Sequence, residues 1–395
     1  MDLNRARVLL REGGYTCVLC RGEIFHTATL RGVRPLVDWL DSGLDLRGYS
    51  AADKVVGRAT AFLYVLLGVS AVHALVMSTP AKEVLEANGI TALFDRDVPG
   101  IINRRGDGPC PFEEAVLGIR DPGEALIAIR RKQFNMAQPP EIAMHTAGKD
   151  FTMDATGLSG AAIALFDDMV LRAEPDSEES RNHIAMLRWL EGKLPAPRLI
   201  ETAVRDNRSW TLMTRLRGEM ACAEAWRSDP HRLVRELAKA IRSLWDIDVS
   251  DCPVDQSPDA KLARAEKIVE AGQVNMELVD PETFGEGGFS SPAELLCWLE
   301  EHKPPFEPVL THGDFCLPNV FLEDWRVSGL LDLGRSGAGD KWTDIAICWR
   351  SLRDNFGGHY GEAVPGFHPD ELFDALGIEK DEQRLRYYLL MDELF

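Results

Sequence analysis

The stretch "THGDFCLPNVFLEDWRVSGLLDLGR", residues 311–335, sets a carboxylate at Asp314, an amide at Asn319 and a second carboxylate at Asp332 among apolar residues. Two short hydrophobic runs flank Glu323 and Asp324, which predicts a β-hairpin turning there. Asp314 and Asn319 then lie in the loop that feeds the first strand, and Asp332 lies at the end of the second. The hairpin returns the chain so that Asn319 and Asp332 face each other. An amide oxygen and a carboxylate are hard ligands suited to Mg²⁺ beside phosphates. Asp314 is left to accept a hydroxyl proton, as phosphoryl transfer requires. An isolated His-Gly-Asp reads more simply as a capped loop whose polar groups satisfy backbone donors. The continuation "LDLGRSGAGDKWTDIA" weighs against that simpler reading.

The chain around this stretch has 395 residues, enough for two or three domains. Its 45% hydrophobic and 27% charged residues are those of a soluble globular protein. A formal net charge of −19 argues against nucleic acid as a partner, since phosphate binding needs clustered Lys and Arg, and suits a cationic ligand. The eight cysteines form no framework and read as reduced thiols of a cytoplasmic protein. Asp2, Arg5, Arg7 and Arg11 argue against a signal peptide. Residues 59–77, "ATAFLYVLLGVSAVHALVM", carry no fixed charge over 19 residues, close to the ~20 that span a bilayer. Gly68 and the strand formers after it predict instead a buried helix, a glycine stop and a buried strand, with no membrane segment.

A boundary falls near "RKQFNMAQPPEI", residues 131–142. Before it, "GYTCVLCRGEIFHTA" reads as two strands around a turn. "SAADKVVGRATAFLYVLLG" reads as a helix with Ser50 as N-cap, "ITALFDRDVP" as a strand, and "PFEEAVLGI" as the start of a helix. This is an α/β layout. After the boundary, "GLSGAAIALFDDMVL" reads as a glycine turn between strands. "SRNHIAMLRWLEGKL" and "DPHRLVRELAKAIRSLWDI" read as helices, "RSWTLMTRLRGE" as a strand, and "GGFSS" as a site of short strands.

The C-terminal part resembles the aminoglycoside 3′-phosphotransferases, a branch of the protein-kinase-like fold. The resemblance rests on "THGDFCLPN", "GLLDLGRSGAGDKWTDIA", "WLEGKLPAPRLIE", "DVSDCP" and the terminal "YYLLMDELF", and covers about residues 136–395. It implies a two-lobed domain that uses ATP and Mg²⁺ to phosphorylate an aminoglycoside, most readily at its 3′-hydroxyl, and so to confer antibiotic resistance. By the resemblance Asp314 is the catalytic base and Asn319 and Asp332 hold Mg²⁺. Arg335 and Arg350 match basic positions near the phosphates. Ser159 and Gly160 belong to the loop over the nucleotide, and Met213, Thr214 and Leu216 to the hinge against adenine. Aminoglycosides are polycations, so their pocket must be acidic. Asp392, Glu393 and the carboxylate of Phe395 match the family's acidic terminus, with Asp354, Glu282 and Glu286 as further candidates. The sequence departs from the family where a lysine is expected to hold the α- and β-phosphates. Arg172 stands there, His183 takes the place of its glutamate, and Glu179, one helical turn earlier, is left as the partner for Arg172. Two other readings stay open: a kinase of another small hydroxylated metabolite, and a nucleotide-binding pseudokinase serving the N-terminal domain.

Residues 1–132 resemble a bacterial family of unknown function with a cytidine-deaminase-like fold, on "RGVRPLVDWL", "DKVVGRATAFL" and "IINRRGDGPCPFEEAV". A zinc deaminase needs P-C-x-x-C and a metal ligand with a catalytic glutamate on another helix. Here "PCPFE" keeps Cys110 but has Glu113 at the second cysteine's place, and Asp53 and Lys54 stand where the first helix would carry the metal motif. Cys17 and Cys20 read as core thiols on opposite faces of a strand. Asp53, Lys54, Asn103, Arg104, Cys110 and Glu113 either line a pocket or fix loops.

Overall fold

The computed structural model describes residues 1–154, 161–277, 279–360 and 362–395. The chain forms two compact units, Met1–Gln138 and Pro139–Phe395.

The first unit runs α1 (Asp2–Glu12), β1 (Cys17–Arg21), β2 (Ile24–Ala28), α2 (Arg34–Asp41), β3 (Ser50–Val56), α3 (Arg58–Leu67), β4 (Ala71–Ser78), α4 (Thr79–Ala87), β5 (Thr91–Val98), α5 (Pro111–Ala115) and α6 (Pro122–Ala137). Its sheet has the order β2-β1-β3-β4-β5, antiparallel across β2, β1 and β3 and parallel from β3 to β5. Helix α1 covers one face, and α2, α3, α4 and α6 pack as a layer on the other side. The period-2 alternation of β1 sorts its residues between the faces. Cys17 and Leu19 join the core around α3, while Val18 and Cys20 pack against Ala6 and Leu10 of α1. The uncharged run behaves as its glycine predicts. Helix α3 ends at Gly68, whose φ of 68° is the left-handed C-cap conformation, and β4 follows. Among the described residues no helix is long and apolar enough to cross a membrane.

The N-terminal end of that helix differs from the expectation. Residues 50–56 are strand β3, and the helix starts after Gly57, so Ser50 is not its N-cap and Asp53 and Lys54 lie on a strand. Ala51 and Ala52 point to opposite faces, and both are fully buried between β1 and β4. A strand covered on both faces loses the polar–apolar alternation by which strands are read, and alanine then mimics a helix.

The second unit contains α7 (Pro140–Thr146), β6 (Thr152–Asp154), β7 (Ala162–Leu165), β8 (Met169–Pro175), α8 (Glu178–Trp189), β9 (Leu199–Arg205), β10 (Arg208–Thr214), β11 (Glu219–Met220), α9 (Pro230–Trp245), β12 (Asp255–Gln256), α10 (Pro258–Glu270), α11 (Pro292–Glu301), β13 (Val309–Thr311), β14 (Val320–Glu323), β15 (Arg326–Leu330), β16 (Gly337–Gly339), α12 (Trp342–Phe356), α13 (Glu371–Leu376) and α14 (Glu382–Asp392). An antiparallel sheet β6-β7-β8-β10-β9 with α8 makes one lobe. The other is helical and carries two small sheets, β11-β14-β15 and β12-β16-β13. Helix α9 anchors the helical lobe: Leu233, Leu237, Ile241 and Leu244 recur at helical spacing and are all buried. Asp229 caps it, accepting the Arg232 amide at 2.9 Å, a cap worth about 1 kcal/mol.

The predicted hairpin is β14 and β15, but its two turn residues are Asp324 and Trp325, one position later than expected. Their φ angles of 51° and 60° give the left-handed pair that matches strand twist. Trp325 is held there by an edge contact with Trp226, centroids 5.1 Å apart, and by the Arg232 guanidinium over its ring. Residues 287–291 form no strand; Phe289 instead closes a loop by donating its amide to the Thr283 carbonyl at 2.8 Å.

Candidate active site

Strand β13 delivers the chain into the loop that holds Asp314. A buried carboxylate fixes this loop: Asp344, in the first turn of α12, accepts the His312 and Gly313 amides, each at 2.8 Å. Burial pushes the Asp344 carboxyl above its ordinary range, while His312 and the two amides pull the other way. Gly313 is obligatory, because its φ is 84° and a Cβ there would lie 1.8 Å from the Arg335 carbonyl oxygen. The His312 ring donates from Nε2 to the Leu331 carbonyl at 2.7 Å and accepts the Asp314 amide at Nδ1 at 3.3 Å. One ring thus ties the loop before β14 to the segment after β15.

The loop ends in a short 3₁₀ turn, residues 317–319, and brings Asn319 back onto Asp314. The Asn319 Nδ2 donates to the Asp314 carboxylate at 2.8 Å and to its backbone carbonyl at 3.0 Å. With the nitrogen committed to Asp314, the amide oxygen is the atom left for another partner. Across the hairpin the Leu331 amide bonds the Asn319 carbonyl at 2.8 Å, so Asp332 follows directly beside Asn319. Asp332 is left-handed, with φ 55°. Such a conformation costs a non-glycine residue on the order of 1 kcal/mol and is kept only where the surroundings impose it.

Those surroundings include Arg172 on β8. Its guanidinium donates to Asp332 Oδ1 at 3.0 Å and also lies 2.9 Å from the Glu174 carboxylate two residues along the same strand. Burial opposes the charge of Asp332, but the charge and hydrogen bond of Arg172 hold the carboxyl below its ordinary range. Burial likewise opposes the Arg172 charge and is overcome by Asp332 and Glu174. Burial dominates at Glu174 and raises its carboxyl despite Arg172. Arg172 therefore does not pair with Glu179 as expected. Glu179 faces Arg335 at 3.4 Å instead, and Glu174 is the partner of Arg172. His183, at the expected glutamate position, does structural work. Its Nδ1 accepts the Leu333 amide at 3.1 Å, and burial, helped by Arg172, pushes it down to about 4. It holds the backbone next to Asp332 as a neutral ring.

The arginines expected near the phosphates and the acids expected in the substrate pocket pair with each other. Arg350 bonds Asp392 and lies 3.4 Å from Glu393, and Arg335 reaches Asp392 at 3.6 Å with its guanidinium over the Phe395 ring. Glu393 also accepts the Asp280 amide at 2.8 Å. The loop carrying Glu282 and Glu286 thus meets the acidic terminus through Asp280, while both glutamates are exposed. Asp354 is taken by Arg353 at 2.7 Å. Glu179, Lys261, Arg335, Asp392 and Phe395 line one cavity of about 540 Å³. Lys261 is buried there, and burial pushes it down to about 8 although Asp392 opposes this.

Of the residues expected to form the hinge, Met213 is buried on β10, and Thr214 Oγ1 accepts the Arg198 amide at 2.9 Å. Leu216 packs over Gly329, where a Cβ would meet Leu216 Cδ1 at 2.5 Å. Ser159 and Gly160 lie outside the described residues. In the first unit Asp53, Lys54, Asn103, Arg104, Cys110 and Glu113 line a single cavity. Among the described residues no group of three His, Cys, Asp or Glu side chains is arranged to hold a metal ion.

Sequence reasoning missed Glu174, which stands two residues from its partner Arg172 on β8, and Asp280 and Asp344, whose partners are distant in the chain. For Asp344 a signal was present, a lone carboxylate inside the apolar run "WTDIAIC", since an unpaired charge is not tolerated in a core.

Two family models match the chain: one described as a domain of unknown function (DUF1893), over residues 5–133, and one described as the phosphotransferase enzyme family, over residues 157–370. Among curated relatives, an aminoglycoside 3′-phosphotransferase from Enterococcus faecalis is 38% identical over 213 residues, 53% of this chain and 76% of that protein. One from Escherichia coli is 30% identical over 274 residues, 66% of this chain and 95% of that protein. Among solved structures, the crystal structure of an aminoglycoside-3′-phosphotransferase of type VIII is similar, with TM-score 0.54 and 27% identity, over 64% of this chain and 96% of the other.

Proposed function

The chain belongs to the phosphotransferase enzyme family, and from that premise we propose that it transfers the γ-phosphoryl group of ATP to the 3′-hydroxyl of an aminoglycoside. The contact that supports this reading best is Asn319 Nδ2 on Asp314 at 2.8 Å, one turn from Asp332 across the hairpin. Asp314 is the base: its carboxylate takes the proton as the sugar oxygen bonds to phosphorus and the bond to the ADP oxygen breaks. Asn319 aims Asp314 by holding one of its oxygens, which leaves the other for the substrate hydroxyl.

The donor set fits Mg²⁺, because the Asn319 amide oxygen and an oxygen of Asp332 are both uncommitted hard ligands. Bound there, the ion would neutralise phosphate charge. Arg172 binds the remaining phosphates, and Met213, Thr214 and Leu216 offer the edge for adenine. The acidic terminus, Asp392, Glu393 and the Phe395 carboxylate, together with Asp280, takes the ammonium groups of the substrate. The net charge of −19 favours capture of such a polycation.

The test is ATP turnover with an aminoglycoside bearing a 3′-hydroxyl and with its 3′-deoxy analogue, the product being located by phosphorus NMR. Phosphate on the 3′-oxygen, with the analogue inert, is expected. Equal turnover of the analogue would move the reaction to another hydroxyl, and no turnover of either would remove the substrate class.

A further inference from the structure

The first unit contains a cavity of about 830 Å³, within the 300–1,000 Å³ range typical of small-molecule sites. It opens where β3 meets α3 and is walled by the loop of residues 101–113. That loop is built to hold its shape. The Asn103 Oδ1 accepts the Arg105 and Gly106 amides at 3.0 and 2.9 Å, its Nδ2 donates to Asp107 at 2.7 Å, and Ile102 bridges to Pro109.

The carboxylates of the cavity are all committed to the protein. Glu113 caps α3, with its two oxygens on the Arg58 and Ala59 amides at 2.9 and 3.0 Å. Its carboxylate fills the place that Gly57 leaves open, where a Cβ would fall 2.4 Å from it. Asp107 holds Asn103. Asp53 accepts the Tyr64 hydroxyl at 2.7 Å and the Val55 amide at 3.0 Å, and burial raises it to about 6. The cations are different. Arg31, Lys54, Arg104 and Arg105 all line the cavity, and the side chains of all four lack an ion pair or hydrogen bond among the described residues. An acidic chain has thus gathered four uncommitted positive charges around a preformed space while tying each acid in it to a protein donor.

We propose that this cavity is a binding site for a small organic anion, bearing phosphate or carboxylate groups, gripped by Arg31, Lys54, Arg104 and Arg105. The forked guanidiniums of the adjacent Arg104 and Arg105 suit planar or tetrahedral oxyanions. Thr29 and Thr60 on the walls supply hydroxyls for the rest of the molecule. The site lies wholly within the first unit and is independent of the phosphotransferase reading.

Cys110 lines the same cavity and is half-buried, so its alkylation reports occupancy; the exposed Cys297, on α11, serves as internal control. The full chain is treated with iodoacetamide, and labelling at each cysteine is followed by mass spectrometry. Inorganic pyrophosphate and tricarballylate are added separately, each against chloride at equal ionic strength, because exposed charges are screened by salt. One or both probes should slow labelling of Cys110 saturably without affecting Cys297, and the effective probe identifies the anion as phosphate or carboxylate. A charge-assisted contact is worth roughly tenfold or more in affinity, so Arg104→Ser with Arg105→Ser should raise the half-protecting concentration at least that much. Lys54→Ser, at an exposed position that makes no side-chain contact, should raise it too and guards against misfolding of the double variant. Absence of protection beyond that by chloride, or protection unchanged in both variants, would overturn the site.

Discussion

Arg172 reaches Asp332 across 160 residues of sequence, its Nη1 3.0 Å from the carboxylate of the residue proposed to hold the metal. The other terminal nitrogen of the same guanidinium lies 2.9 Å from Glu174, and the arginine side chain is only 11% exposed. An ammonium would have to choose between the two acids, since it is a point charge without a fork. This gives the departure from the family's lysine a definite consequence. Part of the proposed metal ligand set is occupied by an arginine from the other lobe.

Arg172→Lys should therefore free an oxygen of Asp332 and lower the Mg²⁺ concentration for half-maximal turnover, with the rate kept or raised. Arg172→Ala should also strand the buried Glu174, at a cost of about 1–3 kcal/mol of stability. A magnesium titration of turnover and a urea midpoint check the two effects. An unchanged titration in the lysine variant would show that Arg172 and the metal do not compete.

Asp314→Ala should reduce turnover by roughly 10²–10⁴ while ATP still binds, the usual range for loss of a positioned base. Asn319→Ala and Asp332→Ala should instead shift the magnesium dependence, since their side chains carry the ligand oxygens. Near-normal turnover of the first variant, or an unmoved titration in the other two, would relocate the site.

Asp344→Ala leaves the His312 and Gly313 amides buried without an acceptor, at about 1–3 kcal/mol each. The chain should lose stability, and the rate should fall although Asp344 touches no substrate. Asp344→Asn keeps one acceptor and should lie between. Hydrogen exchange at the His312 and Gly313 amides separates this from a general loss of stability, because those two amides should lose protection first.

These distances also explain what could be read from the sequence. Asp314, Asn319 and Asp332 were legible because one loop and one hairpin deliver all three, and local spacing encodes such geometry. The partners of Arg172 were not, since Glu174 replaced the expected Glu179 only through the way β8 faces Asp332 in the fold. The strand at residues 50–56 was misread because Ala51 and Ala52 are buried on both faces and give no alternation. The arginine pairing of the acidic terminus was equally hidden, because neither Arg335 nor Arg350 is near Asp392 in sequence.

The Asp53 carboxyl, raised by burial to about 6 from an ordinary 3.8, predicts a pH dependence confined to the first unit. The folded state holds this proton more tightly than the unfolded chain does. The stabilisation is complete below the unfolded value and is lost as pH rises through about 6, amounting to at most about 3 kcal/mol. Hydrogen exchange of β3 and α3 should therefore quicken between pH 4 and 7, beyond the intrinsic chemical trend. Asp53→Asn keeps an acceptor for Tyr64 and should flatten that dependence. A slope that survives the substitution would assign it to another group.

Each unit has its own core, one built around α3 and the other around α9 and α12, and every sheet closes within a single unit. Burying a core in each half is enough for each to fold by itself. The break between Gln138 and Pro139 follows α6 and precedes α7, so a cut there severs no described element. A fragment of residues 139–395 should fold cooperatively and keep the phosphotransferase rate of the full chain, since Asp314, Asn319, Asp332, Arg172 and the acidic terminus all lie in it. A fragment of residues 1–138 should fold separately and retain anion protection of Cys110. Turnover, thermal unfolding and the alkylation assay on both fragments test this. A stable but inactive 139–395 fragment beside an active full chain would show that the first unit completes or gates the reaction.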